Sequence, residues 1–202
     1  MPVTGGRKQQ ILEVLARELE SRPGARLTTA QLALAVGVSE AALYRHFPSK
    51  AKLFDALLEF AEQSVFGLVS RILAEQTAAP ARCAQIGSVV LQFAERNPGI
   101  ARILMGDILL GEHARLRSRV SQIFDRLETQ LRQILRDATI DGSDPQPDRA
   151  TVTAAANLII AAIIGRISQF VRSGFRLSPT TQWDDQWMIL ERGLFPERAR
   201  TL

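Results

Sequence analysis

The sequence predicts an all-α protein, with a small N-terminal three-helix domain joined to a larger helical body, about nine helices in total. Apolar residues recur every three or four positions along nearly the whole chain, which is the spacing of one helix face. No stretch shows the apolar and polar alternation, bounded by turns, that marks a half-buried strand. With 46% hydrophobic residues among 202, the chain can bury an ordinary core.

Three helices are predicted within residues 1–49. The first carries an apolar stripe and stops at the pair 23–24, Pro followed by Gly. Thr28 or Thr29 caps the second helix, and Ser39 caps the third. The second and third helices are separated only by a tight turn, which predicts a helix-turn-helix domain over residues 1–49.

The helical body is predicted over residues 50–195 and begins with a long helix capped by Ser49. A break near Pro80 and a helix stop at 97–99 separate the next helices. A long amphipathic helix follows over 113–139, with one continuous apolar stripe.

A Gly- and Pro-containing loop is predicted over 141–148, and a short tail over 196–202. Between them, a helix over 148–175 has almost no polar face across its middle, which indicates burial on all sides. Its uncharged stretch, 150–165, is shorter than the roughly 20 apolar residues that span a bilayer.

Burial of this helix is more easily achieved against a second copy of the chain than inside one short chain, so we expect a homodimer. A central helix of a monomer is the alternative. The residues expected at the dimer interface are Leu127, Leu131, Ala155, Ile159, Ala162, Ile163 and Phe170.

The whole excess of positive charge lies at the N-terminal end. The net charge is +4, and residues 1–54 carry eight Lys and Arg against four Glu, while the rest is balanced. A basic head on a neutral body suits a polyanionic partner such as nucleic acid.

Several other functions are disfavoured. The single Cys83 cannot form a disulfide within the chain, no His and Cys cluster has metal-ligand spacing, and residues 1–8 hold no signal-peptide segment. His46 and His113 lie on separate predicted helices without an evident Ser or Cys partner. We therefore expect a cytoplasmic protein with no catalytic residues, no metal and no cofactor.

The helix-turn-helix predicts how double-stranded DNA would be bound. Gly37 permits the left-handed turn, and small Ala33 lets the two helices cross closely. The third helix is then free to enter a major groove about 12 Å wide. The expected phosphate contacts are Thr28, Thr29, Tyr44, His46 and Lys50, and the expected base contacts are Ser39, Glu40, Ala41, Ala42 and Arg45.

The chain resembles the TetR family, and within it the branch of nucleoid occlusion factors. The resemblance rests on GVSEAALYRHFPSK at 37–50 and on four further stretches in the body. Those stretches are FAERNPG at 93–99, RIL at 102–104, QLRQILR at 130–136 and FVRS at 170–173.

The resemblance implies a TetR-like fold and a homodimer on palindromic DNA sites, with one dimer or two on each site. It also implies a nucleoid-associated protein that inhibits assembly of the division polymer FtsZ when bound to DNA. The residues carried over as FtsZ contacts are Phe60, Leu68, Val89, Gln92, Arg96 and Asn97.

Two of these positions depart from that branch, which is expected to have Arg at Leu68 and Gly at Gln92. The Arg96, Asn97 and Pro98 run also fits an ordinary helix stop. An ordinary TetR-type repressor, released from its operator by a small apolar ligand, is therefore the alternative function.

Overall fold

The computed structural model of the protein describes residues 6–21, 27–106, 114–140 and 149–195. Within these ranges all regular structure is α-helical, which confirms the predicted fold class and helix number. The predicted loop over 141–148 and the tail over 196–202 lie outside the described residues. The helices are α1 (Arg7–Ser21), α2 (Thr29–Val36), α3 (Glu40–His46), α4 (Lys50–Glu75), α5 (Ala79–Arg96), α6 (Pro98–Leu104), α7 (Ala114–Ile140), α8 (Arg149–Arg172) and α9 (Trp183–Leu194).

Side-chain caps set the ends of the short head helices. Thr28 caps α2 in a capping box: its hydroxyl accepts from the Gln31 amide at 3.2 Å, and its own amide donates to the Gln31 side chain at 3.0 Å. Gly37 ends α2 with φ +74°, in the left-handed region that glycine tolerates. The hydroxyl of Ser39 accepts from the Ala42 amide at 3.2 Å and starts α3.

Helix α6 joins the body to the head by lying against α1. A Cβ atom on Gly99 would come 2.2 Å from the carbonyl oxygen of Ala16, so the two backbones are in direct contact. Arg102 is only 1% exposed, and its guanidinium donates to the carbonyl of Leu19 at 2.6 Å. That carbonyl belongs to the last turn of α1, where a cation is favourably placed.

The body packs α4, α5, α7 and α8 around one core that continues into the head. The predicted stripe of α7 is confirmed where the side chains are described. Leu116, Val120, Ile123, Leu127, Leu131, Ile134 and Leu135 are all buried.

Within one chain, helix α8 buries one face and exposes the other, so complete burial of this helix stays a prediction that requires a partner. The side chains of Ile159, Ile163 and Phe170 are buried within this chain, as are Leu127 and Leu131 on α7. These five side chains therefore belong to the core of this chain, and their place at a dimer interface stays a prediction. Ala155 and Ala162 are half-buried, and the exposed face is formed by Ala154, Leu158, Ala161 and Gly165.

Helix α8 also ends earlier than predicted, at Arg172 rather than near Phe175. Gly174 and Phe175 both take positive φ, which turns the chain away from the helix. By length and composition alone, Ala150–Arg172 could cross a membrane, but its buried stripe packs against α7 as in a core helix.

Candidate nucleic-acid interface

Helix α3 presents the predicted base-contacting residues on its outer face. Ser39, Glu40, Ala41 and Arg45 are exposed, and Ala42 is half-buried. Leu43 is fully buried and fixes the rotation of the helix about its axis. A short helix held in this way offers a polar face with small Ala side chains, which suits contact with base edges.

A hydrogen-bond chain ties the outer face of α3 to the start of α2. The Thr29 hydroxyl donates to Glu40 Oε2 at 3.0 Å, and the Tyr44 hydroxyl donates to Thr29 Oγ1 at 3.3 Å. Sequence reasoning assigned Thr29 and Tyr44 to phosphates and Glu40 to bases, and missed that the three are joined. Thr29 is the first residue of α2, 11 positions before Glu40 in sequence, so this hydrogen bond holds the Glu40 carboxylate beside α2.

The predicted phosphate-contacting residues fall into two groups. Lys50 lies near Thr28 and Thr29 in a shallow pocket, with its ammonium 5.5 Å from the centre of the Phe54 ring. His46 lies apart from them, at the end of α3, where it lines a larger cleft between head and body. The structure therefore groups Lys50 with the α2 N-terminus rather than with His46.

A second candidate surface lies along α4 and α5, where the predicted FtsZ contacts are found. Phe60 is 38% exposed, with its ring centre 6.4 Å from that of Phe93. Gln92 and Arg96 are exposed, and Leu68, Val89 and Asn97 are half-buried. Phe93 was missed, because an apolar residue in a helical stripe carries no signal that it supports a surface.

Asn97 has a structural role at this surface. Its amide Nδ2 donates to the carbonyl of Phe93 at 2.8 Å and so closes the last turn of α5. The helix-stop interpretation of Asn97 therefore holds, and Arg96 is the exposed charged side chain beside it.

The interior of the body is filled near α9 by a tryptophan that sequence reasoning did not single out. The ring of Trp183 lies against Gly87, where a Cβ atom would come 2.3 Å from the ring. Trp187 packs beside it, with ring centres 6.3 Å apart. The indole N–H of Trp183 is buried without a hydrogen-bond partner among the described residues. Those residues contain no His, Cys, Asp and Glu group that could hold a metal.

Comparison with protein families gives two matches that together span most of the chain. Residues 11–57 match the model of bacterial regulatory proteins of the tetR family. Residues 75–195 match the SlmA-like model, described as a tetracyclin repressor-like C-terminal domain. The residues between the two matches, 58–74, all lie within α4.

Solved structures with this fold share little sequence with the chain. FadR from Bacillus subtilis, in complex with stearoyl-CoA, superposes with a TM-score of 0.72 at 16% identity, covering 90% of this chain and 96% of that one. KstR2 of Mycobacterium tuberculosis superposes with a TM-score of 0.71 at 21% identity, covering 95% and 96%. These similarities confirm the TetR-like fold.

Curated relatives are much more similar in sequence. The nucleoid occlusion factors SlmA of Shewanella woodyi and Shewanella baltica are each 51% identical over 189 residues, covering 93% of this chain and 94% of the relative. Identity at this level over nearly the full length of both proteins includes the head as well as the body. The chain therefore belongs to the TetR-like family of SlmA nucleoid occlusion factors.

Proposed function

We propose that the protein is a nucleoid occlusion factor: a cytoplasmic, nucleoid-associated homodimer that binds palindromic double-stranded DNA and then inhibits FtsZ assembly. The observation that carries this proposal is the 51% identity with SlmA proteins over 93% of the chain. The proposal is supported by two separate exposed surfaces, one on α3 and one along α4 and α5.

The DNA-binding part of the proposal is supported by the chemistry of the head. The exposed face of α3 would enter the major groove, where Ala41 and Ala42 can contact thymine methyl groups and Arg45 can reach guanine. The amides at the start of α2, together with Lys50, would bind phosphates. Phosphate contacts supply affinity and base contacts supply preference for one sequence.

The dimer is supported by the apolar faces that the chain leaves exposed. Leu158 on α8 is 50% exposed, and Ile189 on α9 is 72% exposed. Small residues beside Leu158, at Ala154, Ala161 and Gly165, would let two helices approach closely. Two heads related by a two-fold axis would bind two half-sites of a palindrome.

The FtsZ-binding part rests on family membership and on the exposed surface along α4 and α5. A surface with the partly exposed Phe60 ring on α4 and the exposed Arg96 guanidinium at the end of α5 can bind an extended segment that has both apolar and acidic residues. Leu68 and Gln92 replace the Arg and Gly expected in this branch, so we propose that contacts near Arg96 matter more here.

The alternative function is that of an ordinary TetR-type repressor, and an experiment must distinguish it from nucleoid occlusion. The repressor function needs an apolar ligand inside the body, whereas Trp183 already packs against Gly87 and Trp187 packs beside Trp183. A ligand in that region would have to displace a buried indole.

The decisive experiment is sedimentation of FtsZ polymers with the protein, with and without a palindromic duplex selected from genomic DNA. We expect the amount of pelleted FtsZ to fall only when the duplex is present. The variant Arg96→Asp should keep DNA binding and lose this effect, and Arg117→Asp, an exposed position on α7, is the matched control. Equal pelleting in every tube, with tight DNA binding, would overturn the FtsZ proposal and favour the repressor.

The groove assignment of α3 has its own test. Replacing Ala42 with Leu should abolish the preference for the selected duplex over a scrambled one, because the added side chain obstructs close approach to the bases. An unchanged preference in a competition binding assay would show that α3 does not read the sequence.

A further inference from the structure

A cleft of about 660 Å³ lies between the head and the body, and of the predicted DNA and FtsZ contacts only His46 lines it among the described residues. Its walls come from α1, α3, α4 and α7, so the head and the body both contribute. The head contributes Lys8 of α1 and the exit of α3 at His46. The body contributes Lys52, Asp55 and Glu59 of α4, and Arg115, Ser118, Arg119 and Gln122 of α7.

Among the described residues in and around this cleft, cations outnumber carboxylates, and the carboxylates are shared. Asp55 is contacted by two cations, the Lys52 ammonium at 3.6 Å and the Arg115 guanidinium at 3.2 Å. Just beyond, Glu62 is contacted by Arg119 and, at 2.8 Å, by Arg126. Each of these two carboxylates therefore neutralises only one of its two neighbours, and Lys8 adds a further positive charge. Glu59 offsets one charge, so the cleft keeps an excess of positive charge.

We propose that this cleft is a binding site for phosphate groups. Guanidinium groups bind phosphate through paired, charge-assisted hydrogen bonds, and a compact ammonium adds a point charge. The Arg115 side chain is 69% exposed and that of Lys52 is 49% exposed, so both can turn from Asp55 toward an anion at little cost. The volume is that of a small-molecule site, and Ser118 and Gln122 supply neutral hydrogen-bond donors.

The phosphate can come from two sources. A free phosphorylated small molecule would fit inside the cleft. Alternatively, DNA extending past the half-site would bring its backbone to Lys8, His46 and Lys52, which lie near the start of α1, the end of α3 and the start of α4. In either case the anion would bridge head and body and hold α3 at one angle to α7. Only the DNA source rests on the proposed function.

The first arm of the test uses inorganic triphosphate as the probe and contains no DNA. Isothermal titration calorimetry should detect binding to the wild-type protein and about tenfold weaker binding, or none, to Arg115→Gln, because a charge-assisted contact is lost. The variant Arg117→Gln is the matched control. This variant makes the same charge change at an exposed position of the same helix, two residues after Arg115. Arg117 does not line the cleft.

The second arm compares two duplexes, one ending at the half-sites and one extended by about one helical turn, ~10 base pairs, on each side. If flanking DNA supplies the phosphate, Arg115→Gln should reduce the log–log salt slope by about 0.9 on the long duplex only. Arg117→Gln should leave both slopes unchanged.

Each outcome bears on the proposal. Triphosphate binding that Arg115→Gln weakens supports a free ligand, and a slope change confined to the long duplex supports flanking DNA. No triphosphate binding together with unchanged slopes would overturn the phosphate site. If Arg115→Gln lowers the melting temperature and so disturbs folding, both experiments are repeated with Lys52→Gln instead. A failure of all DNA binding would overturn the proposed function and leave the calorimetric arm intact.

Discussion

Helix α3 of the head and helix α8 of the body each expose one face, and the two faces are chemically opposite. The exposed face of α3 carries Glu40, Tyr44 and Arg45. The exposed face of α8 carries Ala154 and Leu158 together with other small residues. A polar, charged face suits a hydrated polyanion, whereas an apolar face suits another apolar face. The two exposed faces therefore suit different kinds of partner.

The two helices also differ in how they are held. Helix α3 has seven residues and depends on the Ser39 cap and one fully buried side chain, Leu43. Helix α8 has 24 residues and buries a continuous stripe that includes Ile159, Ile163 and Ile167. Substitutions on α8 should therefore separate clearly into core and surface effects, while those on α3 should mainly change binding.

The largest expected effect tests the two faces of α8 against each other. Ile163→Ala should lower the free energy of unfolding by about 2–5 kcal/mol, because it leaves a cavity in the core. Leu158→Ala should change the unfolding of the monomer by less than about 0.5 kcal/mol and weaken dimerisation. Urea unfolding and sedimentation equilibrium measure the two effects. If Leu158→Ala lowered the free energy of unfolding as much as Ile163→Ala and left dimerisation unchanged, the assignment of a core face and a dimer face to α8 would be wrong.

A substitution at the contact between α1 and α6 tests whether the head depends on the body. Gly99→Ala places a Cβ atom 2.2 Å from the Ala16 carbonyl oxygen, so the backbones must separate. We expect a loss of about 1–3 kcal/mol in the free energy of unfolding, measured by urea titration, as for other overpacked sites. Gly67→Ala is the control, because a Cβ atom there meets open space on an exposed helix face. Equal stability of the two variants would show that α6 does not hold the head.

The body interior should also show a pH dependence of stability, because it holds a buried thiol. Burial of Cys83 raises the pKa of its thiol from 9.0 to about 12, against the opposing effect of Arg82. The thiol ionises in the unfolded chain before it ionises in the folded one. Its contribution to stability is therefore full below pH 9 and is lost as the pH rises toward 12.

Urea unfolding at several pH values measures this effect. Above pH 9, the free energy of unfolding of the wild-type protein should fall more steeply than that of Cys83→Ala, with a difference approaching about 1.4 kcal/mol per pH unit. Parallel curves for the two proteins would mean that the thiol is not protected by burial.

Most of the head could be predicted because its signals are local. Thr28, Gly37 and Ser39 act on backbone groups within five residues of themselves, so their residue types are sufficient to place helix ends. The stripe of α7 was equally predictable, because its period is a property of one helix.

The remaining features depend on which helices meet, and helical periodicity does not carry that information. Nothing in the sequence of α8 distinguishes Ile159, which faces its own core, from Leu158, which faces outward. The contact of Trp183 with Gly87 joins α9 to α5, and the ion pairs of Glu62 with Arg119 and Arg126 join α4 to α7. Each of these joins residues more than 50 positions apart, where only the tertiary fold brings them together.

A loss of stability smaller than those expected for Ile163→Ala and Gly99→Ala is expected in the head, at Thr28. Thr28→Ala removes the hydroxyl that accepts from the Gln31 amide, which should cost about 1 kcal/mol in the free energy of unfolding. The same change should weaken binding to all duplexes alike, because the affected amides at the start of α2 would contact phosphates rather than bases.

Thr28→Ser is the matched control, since it keeps a capping hydroxyl and should restore both quantities. Fluorescence anisotropy with the selected and a scrambled duplex measures affinity and preference in one titration. If Thr28→Ala reduced the preference for the selected duplex while leaving affinity for the scrambled one unchanged, Thr28 would contact bases. The division of labour between the α2 N-terminus and α3 would then be wrong, because α2 would share in reading the sequence.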